Sequence, residues 1–131
     1  MSAMKLLFVD DQSDIREVVS YALELDPAIE VRTCGSGLEA VSMAAAWRPD
    51  IILLDVMMPG MDGPTTLQRL RGAPETASIP VLFVTSRTQA AEAEHFLSLG
   101  AAGVIAKPFD PLTLAGSVRE RLAGSIRAPA V

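Results

Sequence analysis

Residues 51–63 read IILLDVMMPGMDG, an apolar run that ends in an aspartate and is followed by a proline–glycine pair. Four consecutive apolar residues without alternation are typical of a central strand in a parallel sheet, because such a strand is covered on both faces. Pro59 and Gly60 favour a turn, and Pro64 is acceptable in the first turn of a helix. The stretch therefore predicts a buried strand, a loop that starts at Asp55, and a helix.

The same order of strand and helix recurs on both sides of this stretch. Apolar runs predict strands at residues 5–9, 29–34, 81–84 and 103–106, and an amphipathic stretch follows each one. We expect the helices to bury Ile15, Val18, Val19, Leu23, Leu38, Val41, Leu112, Leu114, Val118 and Leu122. Alternating strands and helices predict an α/β fold: a doubly wound (βα)₅ domain with five parallel strands and helices on both faces.

Composition restricts the class of protein. The 131 residues fit one domain, predicted at 1–124 with a short tail at 125–131. The mean hydropathy is +0.33, yet the longest apolar runs are too short to span a membrane, and no signal peptide is visible. The net charge is −5 without a basic stripe, so we expect no direct nucleic-acid binding. The single cysteine, Cys34, excludes an internal disulfide, and we expect a cytoplasmic protein without membrane contact.

Polar residues follow four of the predicted strands. The carboxyl ends of parallel strands meet at one edge of the sheet, where ligands bind in this class of fold. The residues expected at that edge are Asp10, Asp11, Asp55, Thr85, Ser86 and Lys107.

These side chains suit a metal and a phosphoryl group. Three neighbouring carboxylates cannot all stay ionised without a counter-charge, and an all-oxygen site suits Mg²⁺, with Mn²⁺ as an alternative. Nine of the eleven basic residues are arginine, which makes a lysine at this edge noteworthy. Lys107 could pair with Asp55 or with a phosphoryl oxygen, and the Thr85 hydroxyl could donate to another.

Taken together, Asp10-Asp11, residues 53–63, Thr85-Ser86 and Lys107-Pro108-Phe109 resemble the response-regulator receiver family of bacterial two-component systems. The resemblance covers residues 5–122, and its strength lies in all the pieces occurring in order at strand ends. It implies the flavodoxin-like strand order 2-1-3-4-5. It also implies a phosphorylation-dependent signalling switch rather than an enzyme, although such a switch assists its own phosphorylation and dephosphorylation.

The resemblance assigns a role to each matching position. Asp55 would accept a phosphoryl group from a sensor histidine kinase or a histidine phosphotransfer protein. The metal would be bound directly by Asp11, through water by Asp10, and by Asp55 and the backbone carbonyl of Met57. Thr85 and Lys107 would bind the phosphoryl oxygens, and the Lys107-Pro108 bond would be cis.

The resemblance also implies an output surface at helix 4, strand 5 and helix 5, which would change for partner binding and could support a dimer. One departure affects it: receivers commonly carry Tyr or Phe three residues before the lysine, where this chain has Val104. We therefore expect switching to rely on the loop before helix 4 and on helix 4 itself. Val104, Ile105 and helix 5 would form a less polar contact surface.

Three residues beside the pocket are predicted to modulate the switch. Ser86 is small and leaves room for a phosphodonor. Met57 and Arg87 lie two residues beyond Asp55 and Thr85, so their side chains could control the attacking water and hence the rate of dephosphorylation.

The same residues allow other interpretations. Asp10 and Asp11 could cap a helix, and Lys107 could be an ordinary solvated lysine. The acidic loop at residues 10–14 does not suit a flavodoxin-like cofactor protein, because it would repel the cofactor's phosphate. A P-loop NTPase would need a glycine-rich motif that ends in lysine, which this chain does not contain. An aspartyl-nucleophile phosphatase would need an acid where Met57 stands. The serious alternative is a non-phosphorylated pseudo-receiver that binds other proteins. The sequence leaves open the cognate kinase, the output, and whether the chain is a stand-alone regulator, a phosphorelay shuttle or a piece of a longer one.

Overall fold

The computed structural model describes residues 3–86 and 89–127, which form one parallel sheet of five strands in the order β2-β1-β3-β4-β5. This confirms the predicted α/β class and strand order. The strands are β1 (Met4–Val9), β2 (Ile29–Cys34), β3 (Ile51–Asp55), β4 (Val81–Thr85) and β5 (Gly103–Ala106). The helices are α1 (Ser13–Glu24), α2 (Gly37–Trp47), α3 (Gly63–Arg71), α4 (Ala90–Ser98) and α5 (Leu114–Arg127), with a 3₁₀ turn at Pro111–Thr113 before α5.

Two apolar layers lie on opposite faces of the sheet, because successive residues of a strand point to opposite sides. Leu53 of β3 packs in the layer covered by α1 and α5, while its neighbour Leu54 packs in the layer covered by α2, α3 and α4. All five residues of β3 are buried, as expected for a central strand. Each buried leucine side chain contributes about 1.5–3 kcal/mol, so these layers dominate the stability of the fold.

Side-chain caps fix where several helices begin. Ser36 accepts a hydrogen bond from the Glu39 amide at the start of α2, and Asp62 accepts one from the Thr65 amide at the start of α3. Asp110 caps the last helical segment by accepting a hydrogen bond from the Leu112 amide in the 3₁₀ turn. The caps orient the loops at the carboxyl edge of the sheet.

Three residues predicted to be buried are exposed instead: Val18 by 51%, Leu38 by 64% and Leu112 by 72%. Val18 lies one helical position, about 100°, away from the buried Val19. Leu38 lies off the α2 face that buries Ala40 and Ala44, and Leu112 belongs to a 3₁₀ turn whose rotation differs from that of an α-helix. In each case the residue is apolar but lies on a face that does not pack against the sheet.

The last helix extends further toward the end of the chain than predicted. Helix α5 continues to Arg127, so residues 125–127 of the predicted tail are helical, and 128–131 lie outside the described residues. Arg87, predicted as a modulator, also lies outside them. Within the described residues, no helix has both the length and the apolar composition that a membrane span requires.

Candidate functional site

Parallel pairing brings the predicted site residues to one edge of the sheet. Val9, the last residue of β1, is paired with Leu54 of β3, so Asp10 and Asp55 follow on adjacent strands. The Thr85 carbonyl, at the end of β4, accepts a hydrogen bond of 2.9 Å from the Lys107 amide just after β5. The ends of four strands therefore present their polar residues to one pocket.

Three carboxylates form an acidic cluster in this pocket. One oxygen each from Asp10, Asp11 and Asp55 lies within 4.8 Å of the others. Asp10 and Asp55 are buried, being 1% and 5% exposed, whereas Asp11 faces solvent. Buried, crowded carboxylates of this kind need positive charge to remain ionised.

Lys107 supplies part of that charge. Its Nζ donates to Asp55 Oδ1 at 3.0 Å and to Asp10 Oδ2 at 3.5 Å. Burial raises the pKa of Asp55, and this outweighs the opposing effect of Lys107. Burial alone would lower the pKa of Lys107, but the hydrogen bonds and charges of Asp55 and Asp10 raise it on balance. Lys107 is therefore a fully charged partner at neutral pH, while Asp55 is an unusually basic carboxylate.

The helix-capping interpretation of Asp10 and Asp11 does not fit the geometry. Helix α1 begins at Ser13 with Gln12 as its N-cap residue, and the Gln12 side chain makes no capping hydrogen bond. Asp10 Oδ1 instead accepts from the Gln12 amide at 3.0 Å, which aligns this carboxylate inside the pocket. Lys107 is not an ordinary solvated lysine either, because its amine pairs with the carboxylates of Asp10 and Asp55.

The rest of the pocket contains the other predicted residues. Thr85 is 3% exposed, Ser86 is exposed, and Met57 lies at the mouth with 65% exposure. The Met57 amide also donates to the Asp55 carboxylate. A cavity of about 220 Å³ is lined by Asp11, Gln12, Asp55, Met57, Thr85, Ser86 and Lys107. The Lys107-Pro108 peptide bond is cis, as predicted.

Comparison with known proteins identifies the family that this arrangement belongs to. Residues 6–119 match the response regulator receiver domain. This chain belongs to that family. The solved structure of chemotaxis protein CheY4 from Vibrio cholerae has the same fold, with a TM-score of 0.83 and 35% identity over 92% of this chain and 99% of that one.

Curated relatives of this receiver are longer proteins. It is 35% identical to the DNA-binding dual master transcriptional regulator RpaA of Synechocystis, over 95% of this chain and 52% of that protein. It is 40% identical to the response regulator PleD of Caulobacter vibrioides, over 91% of this chain and 26% of that protein. The receiver thus spans about half or less of the length of the relatives it matches.

Two residues beside this receiver's pocket, Gln12 and Arg16, were not predicted from the sequence. Gln12 lines the cavity, and its place directly after the two aspartates could have indicated this. Arg16 donates from Nη1 to the backbone carbonyl of Asp10 at 2.7 Å. No local sequence pattern predicts this contact, because it depends on how α1 lies against the end of β1.

The predicted contact surface at β5 needs one correction. Val104 is partly buried among residues that pack against α4, but Ile105 is 5% exposed and points into the layer under α1 and α5. Strand alternation places these neighbours on opposite faces, so they cannot share one surface. Ile105 is a core residue.

An apolar cleft borders the pocket of the receiver. It is formed by one face of α1 and the loop after β5, and its lining includes Ile15, Val18, Pro108 and Phe109 together with Lys107. The lysine thus belongs both to the acidic pocket and to the cleft.

Proposed function

We propose that this receiver is a phosphorylation-dependent signalling switch in which Asp55 accepts a phosphoryl group from a histidine kinase or a histidine phosphotransfer protein. The observation that carries the proposal is the contact of Asp55 Oδ1 with Lys107 Nζ at 3.0 Å, inside a cluster of three carboxylates. A buried carboxylate and a charged amine that could bind phosphoryl oxygens line one open cavity, and this supports the proposal.

The transfer is a displacement at phosphorus. An Asp55 oxygen forms a bond to phosphorus while the bond to the donor's imidazole nitrogen breaks, and the bonding electron pair stays on that nitrogen. Lys107 exchanges part of its pairing with Asp55 for a phosphoryl oxygen, and Thr85 donates to another. The product is an acyl phosphate, which water hydrolyses to restore the Asp55 carboxylate.

The donor set fits a hard divalent cation, because it consists of carboxylate oxygens close together. Asp10, Asp11 and Asp55 would hold it, with the Met57 carbonyl as a further ligand. When bound, Mg²⁺ or Mn²⁺ supplies positive charge that offsets the carboxylates and the incoming phosphoryl oxygens.

The partner that donates the phosphoryl group needs a surface beside Asp55. The cleft at α1 and the loop after β5 provides one, since it is apolar and contains the 51% exposed Val18. Truncating or charging Val18 would then slow transfer from a phosphohistidine protein and leave transfer from a small donor unchanged.

The output surface is proposed at α4, β5 and α5, where Val104 lines a groove with Leu97 and Arg121.

Intact mass after incubation with acetyl phosphate tests the proposal. We expect one phosphoryl adduct on the wild type with Mg²⁺ and none with a chelator. Asp55→Asn should give no adduct, whereas the control Asp14→Asn, at an exposed carboxylate in the first turn of α1, should behave like the wild type. If the wild type takes up no phosphoryl group and also binds no Mg²⁺, the chain is a pseudo-receiver and the proposal is wrong.

A further inference from the structure

Arg16 connects helix α1 to the acidic pocket through the backbone. Its Nη1 donates to the carbonyl oxygen of Asp10 at 2.7 Å, a short hydrogen bond from a charged donor. That carbonyl belongs to the peptide unit joining Asp10 to Asp11. The orientation of this peptide plane therefore affects the placement of both carboxylates.

Other contacts hold the same segment. The Asp10 amide donates to the Cys34 carbonyl at 3.2 Å, and the Gln12 amide donates to Asp10 Oδ1 at 3.0 Å. Each is longer than the Arg16 contact. The guanidinium is also part-buried, so its hydrogen bond is less exposed to competition from water than one at the surface.

Gly35 lies directly against the Arg16 guanidinium. A Cβ atom at Gly35 would lie 2.9 Å from Arg16 Nη1 and 3.4 Å from Cζ. A side chain at this position, in the turn between β2 and α2, would therefore push the guanidinium away from Asp10. The absence of a side chain at residue 35 leaves the space that the hydrogen bond needs.

We propose that Arg16 is a positioning residue for the metal site: it fixes the Asp10–Asp11 peptide, and Gly35 keeps the space for its guanidinium. The inference rests on the proposed function, because it concerns the affinity of the same carboxylates for Mg²⁺. Arg16 acts through the backbone and is not itself a ligand.

Charge and geometry make opposite predictions for this residue. Removing a positive charge near the carboxylates should strengthen Mg²⁺ binding on electrostatic grounds alone. Loss of the positioning contact should weaken it, by about tenfold if Arg16 resembles other residues that orient metal ligands. The sign of the change in affinity therefore separates the two roles.

The experiment measures the Mg²⁺ dissociation constant by calorimetry for the wild type, Arg16→Met, Gly35→Ala and the double variant. Controls are Arg69→Met, which removes the same charge from an exposed site in the last turn of α3, and Gly116→Ala, where a Cβ meets open space. Amide chemical shifts of Asp11 and Gln12, recorded without metal, provide a second readout of the peptide orientation.

We expect about tenfold weaker Mg²⁺ binding for Arg16→Met, a weakening in the same direction for Gly35→Ala, and unchanged affinity for both controls. In the double variant, Gly35→Ala should weaken Mg²⁺ binding no further, because the guanidinium that it would displace is already absent. If Arg16→Met does not fold, the Mg²⁺ affinity of Gly35→Ala alone tests the positioning role, since this variant keeps the arginine.

Three results overturn the inference. Unchanged or tighter binding by Arg16→Met, with a wild type that binds Mg²⁺, contradicts the positioning role and leaves the proposed function intact. Additive effects in the double variant contradict the link between Gly35 and Arg16. A wild type that binds no Mg²⁺ contradicts the proposed function itself, and the inference fails with it.

Discussion

Lys107 lies between two buried carboxylates, with its Nζ 3.0 Å from Asp55 and 3.5 Å from Asp10. Replacing it with methionine would leave both carboxylates without their cation. We expect Lys107→Met to lower the free energy of unfolding of the metal-free protein by about 2 kcal/mol at pH 7, which is less than for a fully buried pair because the lysine is partly exposed.

This loss should depend on pH in a defined direction. Burial raises the pKa of Asp55, and removing Lys107 takes away an interaction that opposes the shift. Below that raised pKa the carboxyl is neutral and needs no counter-charge, so the variant should regain stability relative to the wild type as the pH falls. Urea unfolding in chelator at several pH values checks this, with Lys5→Met as the lysine control. Equal stabilities at pH 7 would contradict the assigned role of Lys107.

Cys34 ends β2 and is 5% exposed. Burial, with the charge of Glu39 adding to it, raises the pKa of its thiol from 9.0 to about 11. The thiol of the unfolded chain ionises first as the pH rises, so stability that is present below about pH 9 is lost as the pH approaches the folded-state pKa.

The wild type should therefore lose about 2 kcal/mol more than Cys34→Ala between pH 8 and pH 11. Urea unfolding of both proteins at the two pH values measures the difference, and effects of other titrating groups cancel in the comparison. Parallel pH profiles for the two proteins would show that Cys34 is accessible to water.

At the level of elements, the junction of the β3 loop and α3 is closely packed. A Cβ atom at Gly63 would lie 2.6 Å from the Asp55 carbonyl oxygen and 2.8 Å from Val56 Cα. We expect Gly63→Ala to cost about 3 kcal/mol of unfolding free energy, because backbone atoms cannot move aside as a flexible side chain could. The same change at Gly116, on the exposed face of α5, should stabilise the protein by about 0.5–1 kcal/mol.

Chemical denaturation of the two alanine variants checks both signs. Gly63→Ala should also weaken Mg²⁺ binding, since the displaced backbone carries Asp55. A variant at Gly63 that is as stable as the wild type would mean that α3 can shift without disturbing the β3 loop.

The elements that the sequence predicted well are those with a local signal. Every strand was predicted to within one residue at each end. The buried strands β3 and β4 are continuous apolar runs, whereas β2 has apolar residues at Ile29 and Val31 separated by a charged one. Helix faces were harder. Val18 and Val19 are both apolar neighbours, and only packing against the sheet decides that Val19 is buried.

In the candidate site, too, some contacts could be predicted from the sequence and others could not. The convergence of Asp10, Asp55 and Lys107 could be predicted, because the carboxyl ends of parallel strands lie at one edge. The contact of Arg16 with the Asp10 carbonyl could not, since it needs the tilt of α1 and the absence of a side chain at Gly35. Long side chains that reach across elements leave no periodic signal in the sequence.

At the scale of the whole molecule, hydrogen bonds and a ring contact attach the carboxyl end of α4 to the body of the domain. Arg71 donates to the carbonyls of Ile79 at 2.8 Å and Gly100 at 3.1 Å, which attaches the segment after α4 to the body of the domain. Phe96, in the second half of α4, packs on Phe83 with ring centroids 5.0 Å apart. The amino-terminal half of α4 is nearer the pocket in sequence.

Switching should therefore move the start of α4 more than its end. With Val104 in place of an aromatic residue, the signal would pass through the loop before α4. We expect amide chemical shifts to change on addition of beryllofluoride, a phosphoryl mimic, more at residues 89–94 than at 98–101. Shift changes confined to the pocket, with residues 89–106 unmoved, would contradict this.

The most direct test of the proposed phosphorylation switch is to find chemically which residue carries the phosphoryl group. The protein is incubated with Mg²⁺ and acetyl phosphate, and reduction with borohydride then converts an aspartyl phosphate into homoserine, which peptide mass analysis locates. We predict homoserine at position 55 in the wild type and at no position when Mg²⁺ is withheld. Homoserine at another aspartate, with position 55 unmodified, would contradict Asp55 as the phosphoacceptor.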